Sequence, residues 1–175
     1  SLIDPDSRMN GKGLMILEKM GVRVIHGILE KETKKIYEGY FLNRKSKRPK
    51  VTLKIGCSLD GKISFKPNHR SQITNTLSQK LVHIFRSEHD AILVGSNTIR
   101  VDNPKLNCRI KGLERFSPYR IILSKSLNFS LNSEIFKSCK RILTIIFTKR
   151  DKNRKIKKLT EKGVKVFVLD ERNFN

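Results

Sequence analysis

Apolar residues recur along this chain with two periods, and each change of period marks an element boundary. From Gly11 the spacing is helical: Leu14, Leu17 and Met20 fall on one stripe, and Gly21 follows as a stop. Val22, Val24 and His26 then alternate with Arg23 and Ile25, which predicts a short strand. Helical period returns over Glu30–Leu42 through Ile36, Tyr40 and Phe41. Residues 43–50 carry no apolar period, and Arg48-Pro49 closes the stretch. Beyond it Val51, Leu53 and Ile55 alternate, predicting a strand over Lys50–Cys57, and Ser58–Gly61 reads as a turn. Phe65–Ser71 reads as a loop. A helix runs from Thr74 or Thr76, either able to cap it, to Ser87, with Leu77, Leu81, Ile84 and Phe85 facing inward. Ala91–Gly95 is a continuous apolar run, as in a strand buried on both faces. Asn97–Leu106 reads as irregular. Strands follow at Tyr119–Leu123, Ile142–Phe147 and Val164–Leu169, with a helix over Lys152–Lys162 that ends at Gly163.

Strands alternating with helices predict an α/β fold: a three-layer, mostly parallel sheet, preceded by a small α/β unit. The expected organisation is residues 1–43, a basic linker over 44–49, and a second domain over 50–175. Composition changes this picture little. Lys and Arg number 38 against 16 Asp and Glu, a net charge of +22. Lys137–Lys165 alone holds 12 basic and 2 acidic residues. Such charge admits a nucleic-acid partner as an alternative function. Aromatics are only 7% of the chain and Trp is absent, so stacking platforms for single strands are poor, and solvated lysines account for the charge. The three cysteines are far apart and odd in number, which fits a reducing compartment rather than a disulfide framework. There is no apolar run of membrane-spanning length and no signal-peptide pattern at the start, so a cytoplasmic location is expected.

Metal, nucleophile and phosphate-loop motifs are missing: there is no Cys-x-x-Cys, no His-x-Glu, no Gly-x-Ser-x-Gly and no Gly-x-x-x-x-Gly-Lys-Ser/Thr. His83 shares a helical face with apolar residues and reads as a packed histidine. The informative residues are polar ones at strand ends. Lys54 lies opposite the apolar set of its strand, and Gly56 permits close backbone approach. Gly95–Thr98 follows an apolar strand at its carboxyl end, where open α/β sheets place ligands. Arg86 precedes that strand and Arg109 follows the Asp102-Asn103-Pro104 loop. Two arginines and a lysine suit a phosphate; on spacing alone, surface ion pairs remain the alternative.

Taken in order, Leu53–Ile63, Gln72-Ile73-Thr74, Arg86, Asp90–Gly95, Thr98 and Asp102–Arg109 resemble the reductase domain of the bifunctional riboflavin biosynthesis proteins. These proteins join a pyrimidine deaminase to a 5-amino-6-(5-phosphoribosylamino)uracil reductase. Upstream, Asp4-Pro5-Asp6, Asn10–Gly13, Met20-Gly21-Val22 and Gly27–Glu30 are similar to the end of the deaminase domain. The resemblance implies a dihydrofolate-reductase-like fold over 50–175, with residues 1–43 a deaminase remnant and the sequence truncated at both ends. It implies NADPH as hydride donor, with zinc only in the deaminase part that this sequence lacks. It implies a phosphoribosylamino-pyrimidine substrate reduced to its ribitylamino form, a homodimeric intact protein, and weak or no activity for this stretch alone.

Carried over by motif, Lys54 is the catalytic candidate, and Arg70, Arg86, Leu106 and Arg109 would contact substrate. Gly56, Gln72, Thr98, Asp102 and Lys125 would lie along NADPH. The sequence departs from the family in three places. Gln72 stands where the family usually has Trp, and Arg70 where it has Ser. Ser124-Lys125 replaces Asp-Ser, and Lys125 suits a 2′-phosphate. Another reductase of the same fold is the second alternative.

Overall fold

The computed structural model describes residues 2–149, 151 and 153–170. The chain forms two compact units, Ser1–Lys54 and Ile55–Asn175.

The first unit carries three helices, α1 (Lys12–Lys19), α2 (Glu30–Ile36) and α3 (Glu38–Ser46). Helix α1 ends as Gly21 predicts. Gly21 is left-handed (φ 78°), its N–H donates to Glu18 O, and Val22 N–H donates to Leu17 O, a Schellman stop. That second bond commits Val22 to the helix end. The strand expected over 22–26 does not form, and those residues pair with no strand edge. The helical stretch expected over 30–42 divides at Tyr37, and α3 continues through Arg44–Ser46, residues expected to be linker. None of the three helices contains a buried residue. Polar ties hold the unit instead. Asp6 is buried and accepts from the Arg8 backbone N–H at 3.0 Å and from Arg8 Nε and Nη2 at 3.0 and 2.7 Å. Arg44 of α3 reaches the same carboxylate at 3.4 Å, and the Tyr40 hydroxyl donates to Asp4 at 2.8 Å.

The second unit holds a sheet of four parallel strands in sequence order: β1 (Ala91–Gly95), β2 (Tyr119–Ser124), β3 (Thr144–Thr148) and β4 (Val164–Val168). The expected α/β class and parallel sheet are what the structure shows. Register aligns Ile92, Arg120, Thr144 and Val164 in one inward row, and Val94, Ile122, Ile146 and Val166 in the next. Over these rows lie Ile99 of α5 (Ser96–Asp102), Ile135 and Phe136 of a 3-10 turn (Glu134–Ser138), and Leu159 of α6 (Asn153–Glu161). The other face presents Leu93, Tyr119, Leu123 and Phe167, all exposed. β1 is therefore buried on one face and not on two as expected, because the helices that follow β1 and β3 pack on the same side.

Four further expectations are corrected. Lys50–Cys57 forms no strand. Its alternation is real, but it pairs with no strand among the described residues, and Val51, Leu53 and Ile55 are exposed. Asn97–Leu106 is not wholly irregular, since α5 occupies its first part. Helix α4 (Thr76–Glu88) is capped by Asn75, whose side chain accepts from Ser78 N at 2.8 Å, and neither threonine serves. Its apolar residues Leu77, Leu81, Ile84 and Phe85 are exposed rather than inward. Among the described residues no helix is long and apolar enough to cross a membrane.

Candidate anion-binding corner

Helix α4 brings His83 and Arg86 to one face of its last turn, three residues apart. The loop after α5 folds back onto that turn. Two left-handed residues, Asn103 (φ 42°) and Leu106 (φ 50°), shape the loop. Asn tolerates this conformation; for Leu it is strained, and burial of the Leu106 side chain in the core holds it there. Asn103 Oδ1 accepts from Glu134 N at 2.8 Å, and Lys105 O accepts from Arg120 Nη1 at 3.3 Å. Cys108, also buried, donates its N–H to Ser117 Oγ at 3.1 Å and its thiol to His83 O at 3.4 Å.

These anchors bring Arg109 beside Arg86. Arg86 Nη1 donates to Asn107 O at 3.1 Å, and Arg109 Nη1 donates to Asn107 Oδ1 at 3.2 Å. The Arg109 backbone N–H donates to His83 Nδ1 at 3.3 Å. Arg86 is half-buried, and its Nε has no hydrogen-bond partner. Burial first, then the Arg109 charge, pull the Arg86 guanidinium below its ordinary pKa range. Burial, then Arg109 and Arg86, push the His83 imidazole down, while the Asn107 backbone carbonyl, as an acceptor for the ring, opposes them. Among the described residues, neither arginine has a carboxylate within ion-pair distance. Two guanidiniums held together against their mutual repulsion, one of them with a buried and unmet N–H, form a place for a multivalent anion.

The other expected site residues are distributed. Lys54 is exposed at the end of the first unit, outside any strand. Gly56 is half-buried, and Arg70 and Gln72 are exposed, all on the irregular stretch before α4. Leu106 gives its side chain to the core. Thr98 lies in the first turn of α5, directly after the carboxyl end of β1, and Lys125 follows the carboxyl end of the neighbouring β2. Asp102 ends α5. The structure thus brings Arg86 and Arg109 to one corner and sets Thr98 and Lys125 at the carboxyl end of adjacent strands. His83 is the addition: its apolar neighbours marked it as a packed residue, and the signal overlooked was its spacing of three from Arg86. Arg120 was not singled out at all, because an Arg within a strand suggests a solvated face. Among the described residues no group of three or more His, Cys, Asp or Glu side chains gathers to hold a metal ion.

Residues 49–174 match the family model described as the RibD C-terminal domain. The chain is 38% identical over 167 residues to riboflavin biosynthesis protein RibD of Aquifex aeolicus, covering 95% of this chain and 46% of that protein. It is 32% identical over 168 residues to RibD of Bacillus amyloliquefaciens, covering 95% and 45%. At such coverage the matches also run through most of the first unit. Among solved structures, a diaminohydroxyphosphoribosylaminopyrimidine deaminase/5-amino-6-(5-phosphoribosylamino)uracil reductase from Thermotoga maritima matches with a TM-score of 0.76 and 32% identity, over 93% of this chain and 51% of that one. Acinetobacter baumannii RibD shares the fold, with a TM-score of 0.82 at 24% identity over 95% and 46%. The chain spans about half the length of the relatives it matches.

Proposed function

The chain belongs to the RibD C-terminal domain family, and from that premise we propose that its second unit serves the NADPH-dependent reduction of 5-amino-6-(5-phosphoribosylamino)uracil to the ribitylamino form. The observation that carries this reading is the Arg86–Arg109 corner. A phosphorylated substrate supplies the multivalent anion that two uncompensated guanidiniums require, and Arg recognises phosphate bidentately. Arg86 and Arg109 hold the phosphate, Arg70 supplies a further cation, and the backbone at Leu106 borders the sugar. Lys54 is the catalytic candidate on the family resemblance alone.

The fit to NADPH rests on Thr98 and Lys125. Both follow the carboxyl ends of adjacent parallel strands, where α/β sheets bind ligands, and Lys125 is an exposed cation suited to the 2′-phosphate. Gly56, Gln72 and Asp102 complete the assignment of the cofactor side. NADPH supplies the hydride. The protein's part is to hold the sugar carbon close and oriented and to exclude water. Within the same reading, residues 1–43 are the end of a deaminase-like domain, 44–49 a linker and 50–175 the reductase. The family resemblance also supports a homodimer in the cytoplasm.

The assay is NADPH consumption by the full-length protein with 5-amino-6-(5-phosphoribosylamino)uracil. Arg86→Ala or Arg109→Ala removes charge-assisted hydrogen bonds and is expected to raise KM about tenfold to a hundredfold. A full-length protein that leaves both NADPH and this pyrimidine unchanged sinks the assignment.

A further inference from the structure

Arg109 is exposed and its backbone lies on a loop, yet it must face the same anion as Arg86, which is fixed on a helix. Something must hold that backbone in place. The side chain of Arg109 does not: among the described residues its one hydrogen bond is to Asn107, two residues away on the same loop. Among the described residues, three hydrogen bonds anchor the loop to α4. Arg86 Nη1 holds Asn107 O, Cys108 Sγ meets His83 O, and Arg109 N–H meets His83 Nδ1. Two of the three end on His83, and only one of these uses its side chain. That bond acts on Arg109 itself.

We infer that His83 is a positioning residue of the anion corner, acting as a neutral imidazole whose Nδ1 accepts the Arg109 backbone N–H and so sets Arg109 beside Arg86. The inference deepens the phosphate-site reading above and rests on it. The bond requires a bare Nδ1 and hence the tautomer protonated at Nε2. The surroundings favour that form. Burial, Arg109 on the loop and Arg86 on the same helix oppose a third positive charge, and only the Asn107 backbone carbonyl works the other way, as the smallest of the four influences. The neighbouring 3-10 turn (Glu114–Phe116) supplies no compensating anion to the ring: the Glu114 carboxylate accepts from Gly112 N at 2.8 Å, and Arg115 lies over Phe116. A charged His83 would lose the Arg109 bond; a neutral one keeps it.

The test is calorimetric binding of ribose 5-phosphate, used as the probe, to the full chain at pH above the histidine range. Arg86→Ala and Arg109→Ala are expected to weaken binding about tenfold or more, as losses of charge-assisted contacts. His83→Leu, which touches no ligand, is expected to weaken it about three- to tenfold, the worth of one hydrogen bond. His83→Asn, whose amide oxygen takes the place of Nδ1 and does not titrate, is expected to bind within about twofold of the unaltered chain. Nitrogen NMR of the unaltered chain is expected to show Nδ1 of His83 unprotonated. Unchanged affinity in His83→Leu, equal loss in His83→Asn and His83→Leu, or a protonated Nδ1 overturns the inference while leaving the phosphate site standing. If the two arginine variants bind as well as the unaltered chain, there is no anion site, and the functional reading falls with the inference.

Discussion

Replacing Arg120 with Met is the most demanding test of how this fold is held. Arg120 is fully buried in the inward row of the sheet, and no carboxylate lies within ion-pair distance among the described residues. Burial lowers its pKa, yet a guanidinium stays protonated, so the core holds a cation compensated only by dipoles. Nε donates to Thr144 Oγ1 at 2.9 Å. Nη1 donates to Ser138 Oγ at 2.8 Å and Lys105 O at 3.3 Å. Nη2 donates to Ile142 O at 2.9 Å and lies 3.8 Å from Cys139 Sγ.

Met fills similar volume and removes both the desolvated charge and its N–H groups. The losses are unequal. Ile142 O keeps the Thr144 hydroxyl as a donor at 3.2 Å, and Ser138 is only half-buried and reaches water. Lys105 O loses its donor, and the acceptor side of Thr144 keeps only the weak Cys139 thiol at 3.5 Å. At about 1–3 kcal/mol for each stranded group, less what is recovered from the desolvated charge, the cost is about 2–4 kcal/mol. Urea unfolding followed by circular dichroism measures it, and the slope should stay that of the unaltered chain. A loss under about 1 kcal/mol would mean that the charge cost nearly cancels the hydrogen bonds, and this account of the core would be wrong.

Two further outcomes follow from single features. Gly163→Ala meets only ordinary contact, with Cys139 O 3.6 Å from the added carbon, so space is no obstacle; the left-handed φ of 89° is, and the cost should be about 1–2 kcal/mol in the same unfolding experiment. Asp6 is held well below the ordinary carboxylate range, first by the Arg8 side chain, with Arg44 adding to it. A depressed carboxylate stabilises the fold above its unfolded value of about 3.9 and ceases to do so as pH falls through the folded one. Carbon-detected NMR titration should find Asp6 the last of its type to protonate, and Arg44→Met should raise its midpoint.

Much of the second unit was legible in the sequence because its strands carry dense apolar runs. β1, β2, β3 and β4 all lie where apolar periodicity placed them, and Gly163 ends α6 as its position foretold. Alternation failed where pairing was needed as well. Val22–His26 and Lys50–Cys57 have the period of strands but no neighbouring edge, and period alone cannot supply one. Helical period likewise told that α4 forms but not which face is covered: Leu77, Leu81, Ile84 and Phe85 make a proper stripe that stays exposed. At the corner, Arg86 and Arg109 were legible through motif order. What joins them was not, because it runs through backbone groups of Asn107 and Arg109, and backbone groups leave no trace in the amino-acid alphabet. Arg120 was hidden for a different reason. An arginine in a strand is usually solvated, and the acceptors that let this one be buried come from Lys105, Ser138, Ile142 and Thr144, all distant from it in sequence.

The reach of Arg120 bears on the order in which the molecule assembles. Its partners come from Lys105, Ser138, Ile142 and Thr144, so its bonds close only after β2 and β3 have paired and the turn before β3 has folded over them. The loop that carries Arg109 is fastened to this late-closing point. It therefore lacks the independence usual for a binding loop: opening it means breaking into the sheet. Amide exchange at Cys108 should then track global unfolding rather than local fraying, and the corner should be either fully set or absent. Binding at such a place draws on the cooperativity of the whole unit, and a destabilising change anywhere along that row of the sheet registers there as a loss of formed sites rather than as a weaker grip.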